Sequence, residues 1–151
     1  MIQGVKIKQL KLHHDDRGFL TELMRLGEEA FFEIKQTIYT ETHPGVIKAF
    51  HWHKKQWDGW FVIKGMGQVV LYDLREDSPT FKQTQVIFAG EKNPVLICIP
   101  PRVAHGYRVI GNEKFGLLYH TSETHDKENP DEERIDWNDP SIGFDWTTKN
   151  R

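Results

Sequence analysis

The sequence predicts an all-β fold in a single domain, a double-stranded β-helix of the jelly-roll kind. Three observations carry that expectation. Apolar and polar residues alternate with period two in about ten short stretches. Those stretches are rich in Val, Ile, Phe, Tyr and Trp. Gly, Pro, Asp and Asn separate them at short intervals, which is turn chemistry. At 151 residues the chain reads as one domain, 1–151, long enough to build a core without a disulfide or a metal staple.

The elements follow in order. Residues 5–12 alternate and run into the turn cluster His13-His-Asp-Asp-Arg-Gly18. Residues 33–40 alternate and stop at His43-Pro-Gly45. Further strands are expected over 46–52, 58–64, 67–73, 83–89, 94–99, 104–110 and 114–120. Lys64-Gly-Met-Gly67 reads as a hairpin turn. Only 24–32 is expected to hold a short helix. The stretch from His125 to Pro140 is acidic, contains proline and reads as a surface loop, its 128–134 charge run solvated. Trp137 and Trp146 are expected to pack back onto the body.

Charge excludes some partners. Twenty basic residues stand against 22 acidic ones, a formal net charge of −2, so neither nucleic acid nor an anionic membrane surface is an expected partner. No apolar run approaches the roughly 18–20 residues of a membrane span. Met1-Ile-Gln-Gly-Val-Lys6 has no apolar signal core. The one cysteine, Cys98, lies in the apolar run 95–99 and reads as a buried core thiol. A chain without an internal disulfide fits the cytoplasm, the expected location.

The chemistry concentrates in two places. His51 and His53 stand on alternate residues, so in a strand both project from one face. Asp58 follows, and His105 opens a new strand after Pro100-Pro101. Three imidazoles and a carboxylate at the mouth of a barrel suit either proton chemistry or a metal. The spacing Gly45-x5-His51-x-His53-x4-Asp58-x6-Gly65 resembles the first motif of the cupin superfamily, with Asp where Glu is usual. Ile99-Pro-Pro-Arg-Val-Ala-His105 resembles the second motif, with Arg102 where Gly is usual. As a metal site, His51, His53, Asp58 and His105 suit zinc, iron, nickel or manganese rather than magnesium or calcium.

A closer resemblance covers nearly the whole chain. Asp16-Arg-Gly-Phe-Leu-Thr-Glu22, Lys48-Ala-Phe-His51, Tyr72-Asp-Leu-Arg-Glu-Asp-Ser-Pro-Thr-Phe81, Pro100-Pro-Arg-Val-Ala-His-Gly106, Leu118-Tyr119 and Trp137-Asn-Asp-Pro-Ser-Ile-Gly-Phe-Asp-Trp146 occur in this order. Together they resemble the dTDP-4-dehydrorhamnose 3,5-epimerases. The resemblance implies epimerisation of a nucleotide-linked 4-keto-6-deoxyhexose, in surface-sugar or natural-product biosynthesis, by a homodimer that requires no cofactor. It makes His51 the base and Tyr119 the acid on the opposite face of the sugar. It puts Lys48 at the diphosphate, with Arg17, Glu22 and Gln36 at the nucleotide, partly across the dimer. Gln56 and His105 complete the implied substrate contacts. The chemistry is coherent, because a 4-keto group acidifies the neighbouring C–H bonds and histidine titrates near neutrality.

The departures from the family pattern keep two alternatives open: a metal-dependent cupin isomerase or oxygenase, and a non-catalytic sugar-binding module. Asp58 stands where the family has a lysine near the developing enolate, and an anion there opposes enolate formation unless a cation joins it. His53 stands where the family has Gln or similar. Lys48 replaces an arginine and loses bidentate geometry. Ile38 replaces an asparagine, and His125 a second tyrosine. The aspartate that orients the base in the family lies past the match, leaving Asp139 or His105 as candidates for that task.

Overall fold

The computed structural model describes residues 1–149. Twelve strands are assigned among them. They are β1 (Lys6–Gln9), β2 (His13–Asp15), β3 (Gly18–Leu20), β4 (Gln36–Thr42), β5 (Ile47–Trp52) and β6 (Asp58–Lys64) in the first half. The second half holds β7 (Met66–Asp73), β8 (Thr84–Gly90), β9 (Val95–Ile99), β10 (Val103–Ile110), β11 (Phe115–Thr121) and β12 (Glu133–Arg134). Two five-stranded antiparallel sheets, β1-β9-β6-β11-β4 and β12-β5-β10-β7-β8, face each other, and β2-β3 forms a separate hairpin. This is the all-β double-sheet architecture that the alternation predicted.

The space between the sheets is filled by Trp60, Val62, Leu71, Ile97, Val103 and Phe115 with their neighbours. β9 is buried at every residue. Its inner face meets this core, while its outer face, Leu96 and Cys98, is covered by Leu23, Met24, Ala30 and Phe32. That double cover explains the unbroken apolar run. It also pushes the Cys98 thiol pKa up to about 12, because burial disfavours the thiolate.

The helix expected over 24–32 does not form. The segment is a series of turns, with one short-range bond from Glu28 N–H to the Arg25 carbonyl. Gly27 sits at φ +89°, a left-handed conformation that interrupts any helix. The apolar residues of the segment are spent on covering β9 rather than on a helical stripe.

The acidic stretch is largely exposed, as expected, but it is not free of the body. Glu133 and Arg134 pair with Trp52 and His51 as strand β12. Ile135 and Phe50 then exchange both backbone hydrogen bonds, at 2.8 and 3.0 Å. Trp146 is buried against Phe50, ring centroids 5.4 Å apart, on the outer face of the second sheet. Trp137 is half exposed and contributes its carbonyl to the Trp146 indole N–H at 2.9 Å. The residues after β11 therefore form a strap along the edge and back of this sheet.

Candidate active site

Five strands build a cleft between the sheets. β5 and β10 supply one wall, β4, β6 and β11 the other. The cleft has two lobes, of about 510 Å³ and about 370 Å³, which share His51, Tyr119 and Glu132. The larger lobe is lined by Thr40, Lys48, Trp60 and Arg134 among others. The smaller is lined by Gln36, His53, Gln56, Asp58 and His125 among others.

Local sequence explains the convergence. The i, i+2 spacing puts His51 and His53 on one face of β5 and its continuation. His105 lies opposite His51 in the β5–β10 ladder, and the register slips just after it. Gly106 allows this, since a Cβ there would lie 2.3 Å from the Ala49 Cβ. Asp58 opens β6 and reaches across from the other sheet. One ligating atom from each of His51, His53, Asp58 and His105 lies within 4.8 Å of the others.

Hydrogen bonds define the ring orientations. The Val103 carbonyl lies 2.8 Å from His105 Nδ1. A carbonyl only accepts, so Nδ1 carries the proton. His105 Nε2 is buried and makes no properly directed hydrogen bond, although Asp58 Oδ2 is 3.2 Å away. His53 Nδ1 donates in the same way to the Asp131 carbonyl. Gln56 Nε2 donates to Asp58 Oδ1 at 2.7 Å and lies 3.2 Å from His53 Nε2. Trp60 Nε1 donates to Asp58 Oδ2 at 3.2 Å.

The electrostatics follow from burial and crowding. Burial, then the neighbouring His105 ring, hold the His51 pKa well below its ordinary value, so the ring is neutral and carries a lone pair near pH 7. For Asp58, burial by itself would raise the pKa, but His105, His53 and His51 outweigh it and bring the carboxyl to about 2. Tyr119 is raised, by burial first and then by Asp58 and Glu132, so its hydroxyl keeps its proton. Trp60 lies between the two walls, with ring centroids 5.9 Å from His51 and 6.5 Å from Tyr119. A lone-pair imidazole thus faces a protonated phenol across an aromatic floor, an arrangement able to remove a proton from one face of a ring and return one to the other.

The cleft gathers His51, Tyr119, Gln36, Lys48, Gln56, His53 and Asp58 as expected. His105 lies behind His51 rather than on the lining, 2% exposed, which makes it a supporting residue instead of a surface contact. Arg17 and Glu22 are exposed, on the β2-β3 turn and just after β3, and line neither lobe. Arg17 pairs with Asp15 instead. Asp139 lines neither lobe and accepts the Ser141 N–H at 2.8 Å within its own turn. Trp57 stacks near Phe32, with centroids 6.3 Å apart, and is not a lobe wall.

Sequence reasoning missed the contribution of the strap. The Asp131 carboxylate accepts the N–H groups of Lys54, Lys55 and Gln56 at 2.9 to 3.1 Å, fixing the turn between His53 and Asp58. Glu132 lines both lobes, and Arg134, paired with Glu132 at 2.8 Å, lines the larger. The acidic loop carried no periodic signal that could have pointed to them.

Comparison with known proteins agrees with this geometry. The sequence matches the family described as dTDP-4-dehydrorhamnose 3,5-epimerase over residues 1–151. It is 51% identical to the spore coat polysaccharide biosynthesis protein SpsL of Bacillus subtilis, over the full length of both chains. It is 37% identical to a probable low-salt glycan biosynthesis epimerase of Haloferax volcanii, covering 98% of this chain and 96% of that one. Among solved structures, a dTDP sugar isomerase from Desulfovibrio desulfuricans superposes with a TM-score of 0.89 at 27% identity, covering 99% and 94% of the two chains. A Legionella pneumophila epimerase in complex with dTDP-4-keto-L-rhamnose gives a TM-score of 0.84 at 25% identity, covering 97% and 80%.

Proposed function

We infer the reaction from the family: the chain belongs to the dTDP-4-dehydrorhamnose 3,5-epimerases, matched over its whole length, and is an epimerase of a 4-keto-6-deoxy sugar in polysaccharide or natural-product biosynthesis. The substrate is a nucleotide-linked 4-keto-6-deoxyhexose. His51 takes the proton next to the ketone, and Tyr119 returns one from the opposite wall. The observation that carries this reading is that these two residues, from facing sheets, are the lining that both lobes share along with Glu132. Removal and return of a proton leaves the hydrogen count unchanged, so the reaction needs no redox cofactor.

The two lobes divide the substrate. The larger takes the nucleotide, its diphosphate beside Lys48, which acts as a point charge rather than a fork. The sugar ring lies over Trp60, with its reacting edge toward Gln36, Gln56 and the smaller lobe. The working form is a homodimer, in which Arg17 and Glu22 reach the nucleotide of the partner's cleft. Their exposed position supports this, as do Phe19 and Leu20, 61% and 64% exposed beside Arg17. Two inactive variants, Arg17→Ala and His51→Asn, should regain activity on mixing, because one cleft of each mixed dimer is then intact.

No helix among the described residues is long and apolar enough to cross a membrane, and we place the enzyme in the cytoplasm on its single buried thiol. Incubation with dTDP- and CDP-linked 4-keto-6-deoxyglucose in deuterated water, followed by NMR, tests the reaction directly. Deuterium should enter next to the ketone with one of the two. Entry with neither would refute this substrate class.

A further inference from the structure

We propose that His51, His53, Asp58 and His105 bind a divalent transition-metal ion, and that occupation of the site silences the epimerase by engaging the lone pair of His51. The binding half stands on geometry. The silencing half rests on the assignment of His51 as base.

The argument begins with the direction of the lone pairs. Val103 fixes the proton of His105 on Nδ1, so Nε2 presents a lone pair to Asp58 Oδ2 at 3.2 Å. His53 is fixed in the same sense by Asp131, and its Nε2 lies 3.8 Å from the same oxygen. Gln56 and Trp60 donate to the two Asp58 oxygens and Gln56 also approaches His53 Nε2, which leaves His105 Nε2 as the buried nitrogen of the set without a hydrogen-bond partner. His105 is 2%, His53 6% and Asp58 1% exposed, so water cannot fill that role freely. The three rings converge, with centroids 4.2 to 5.7 Å apart, so their inner nitrogens share one space with the Asp58 carboxylate. One cation at their centre gives His105 Nε2 its missing partner and is reached by the other three side chains.

The set is also dimensionally close to a metal site. Ligand atoms around a tetrahedral zinc ion, at bonds of about 2.1 Å, lie about 3.4 Å apart. The separations here are within 4.8 Å, so closure needs the widest pair to draw together by up to about 1.4 Å, within the reach of side-chain rotation. The Val103 and Asp131 carbonyls already hold two rings by their outer nitrogens, the support that metal-binding histidines use. His53 and Asp58 line the smaller lobe, which provides an entry path. Three imidazoles with one carboxylate select ions such as zinc over magnesium or calcium.

The silencing follows from imidazole itself. A neutral ring has one lone pair and one N–H. A His51 that donates its lone pair to a metal has none left for a substrate proton, whichever nitrogen is used.

The test uses untagged protein, stripped with a chelator, dialysed against zinc sulfate and freed of unbound metal. Elemental analysis should give about one zinc per chain, against less than about 0.1 for Asp58→Asn and for His53→Gln. His53→Gln carries the comparison if Asp58→Asn fails to fold. A wild-type content below about 0.1 overturns the site. Deuterium exchange into the nucleotide sugar, measured on the same samples, should be full in stripped enzyme and at least about tenfold lower with zinc. A zinc-loaded enzyme that keeps its rate overturns the silencing. A stripped enzyme that is inactive until zinc is restored overturns it as well, and with it His51 as base, while leaving the binding site standing.

Discussion

The strand-borne wall of the cleft and the strap that closes it reach the same place by different means. His51, Asp58, His105 and Tyr119 are set by pleat and register: each lies on a strand, and its neighbours in the ladder fix where it points. Asp131, Glu132 and Arg134 belong to a stretch with two residues of strand, held by point contacts: a carboxylate on three N–H groups, a carbonyl on His53 and one short pairing with β5. The walls hold the chemistry. The strap holds the turn that presents part of it, and it closes the lobes. Changes in the walls should therefore alter rate with little change in folding. Changes in the strap should alter stability and positioning together.

The sharpest division comes from His51→Asn. Asparagine keeps a polar side chain in the same place but cannot accept the proton. Deuterium exchange should fall by about 10²–10⁴-fold, the usual cost of losing a general base, while the melting temperature stays close to wild type. A rate within about threefold of wild type would remove His51 from the chemistry.

Tyr119→Phe tests the facing wall. Its hydroxyl is the proposed proton donor, while its ring packs on the core and should keep its place in phenylalanine. Exchange by His51 should persist, and epimerised product should fall by about 10²-fold, since only the return step loses its donor. Equal loss of exchange and of product would show that Tyr119 positions the substrate instead.

Asp131→Ala tests the strap. It removes the acceptor for three backbone N–H groups around Lys54 and Gln56. Lys54 and Lys55 are exposed, so water replaces part of the loss, and unfolding free energy should drop by about 1–3 kcal/mol. The turn bearing Gln56 should loosen, and activity should fall by about tenfold, mostly in KM. A change in kcat alone, with no loss of stability, would move Asp131 from the scaffold into the reaction.

How much was legible follows the same division. The two sheets and the set His51, His53, Asp58 and His105 could be read because period two reports which residues share a face, and the turn residues report where strands end. Residues 24–32 misled because their apolar residues cover Leu96 and Cys98, a tertiary demand with no local period. Asp131 and Glu132 were invisible for the converse reason: an acidic loop looks solvated until the backbone it captures is known. Arg17 and Glu22 were readable only as a resemblance, because one chain does not bring them to its own cleft.

The smallest effect should come from Asp139→Ala, and its smallness matters. The resemblance left Asp139 as a candidate to orient the base, on the same strap as Asp131. In the structure its carboxylate is occupied with the Ser141 N–H at 2.8 Å, and its backbone closes the turn through Ile142 and Gly143. Its pKa is lowered by the Ser141 hydrogen bonds, a local turn effect with no contribution from His51. Removing one such solvent-accessible bond should leave the thermal or urea unfolding midpoint close to wild type. Both kcat and kcat/KM should stay within about twofold of wild type, against the tenfold loss, mostly in KM, expected at Asp131. If kcat instead falls by about 10²-fold at unchanged stability, Asp139 reaches the base in the working enzyme. The strap would then carry chemistry as well as structure, and the distinction between wall and strap would fail.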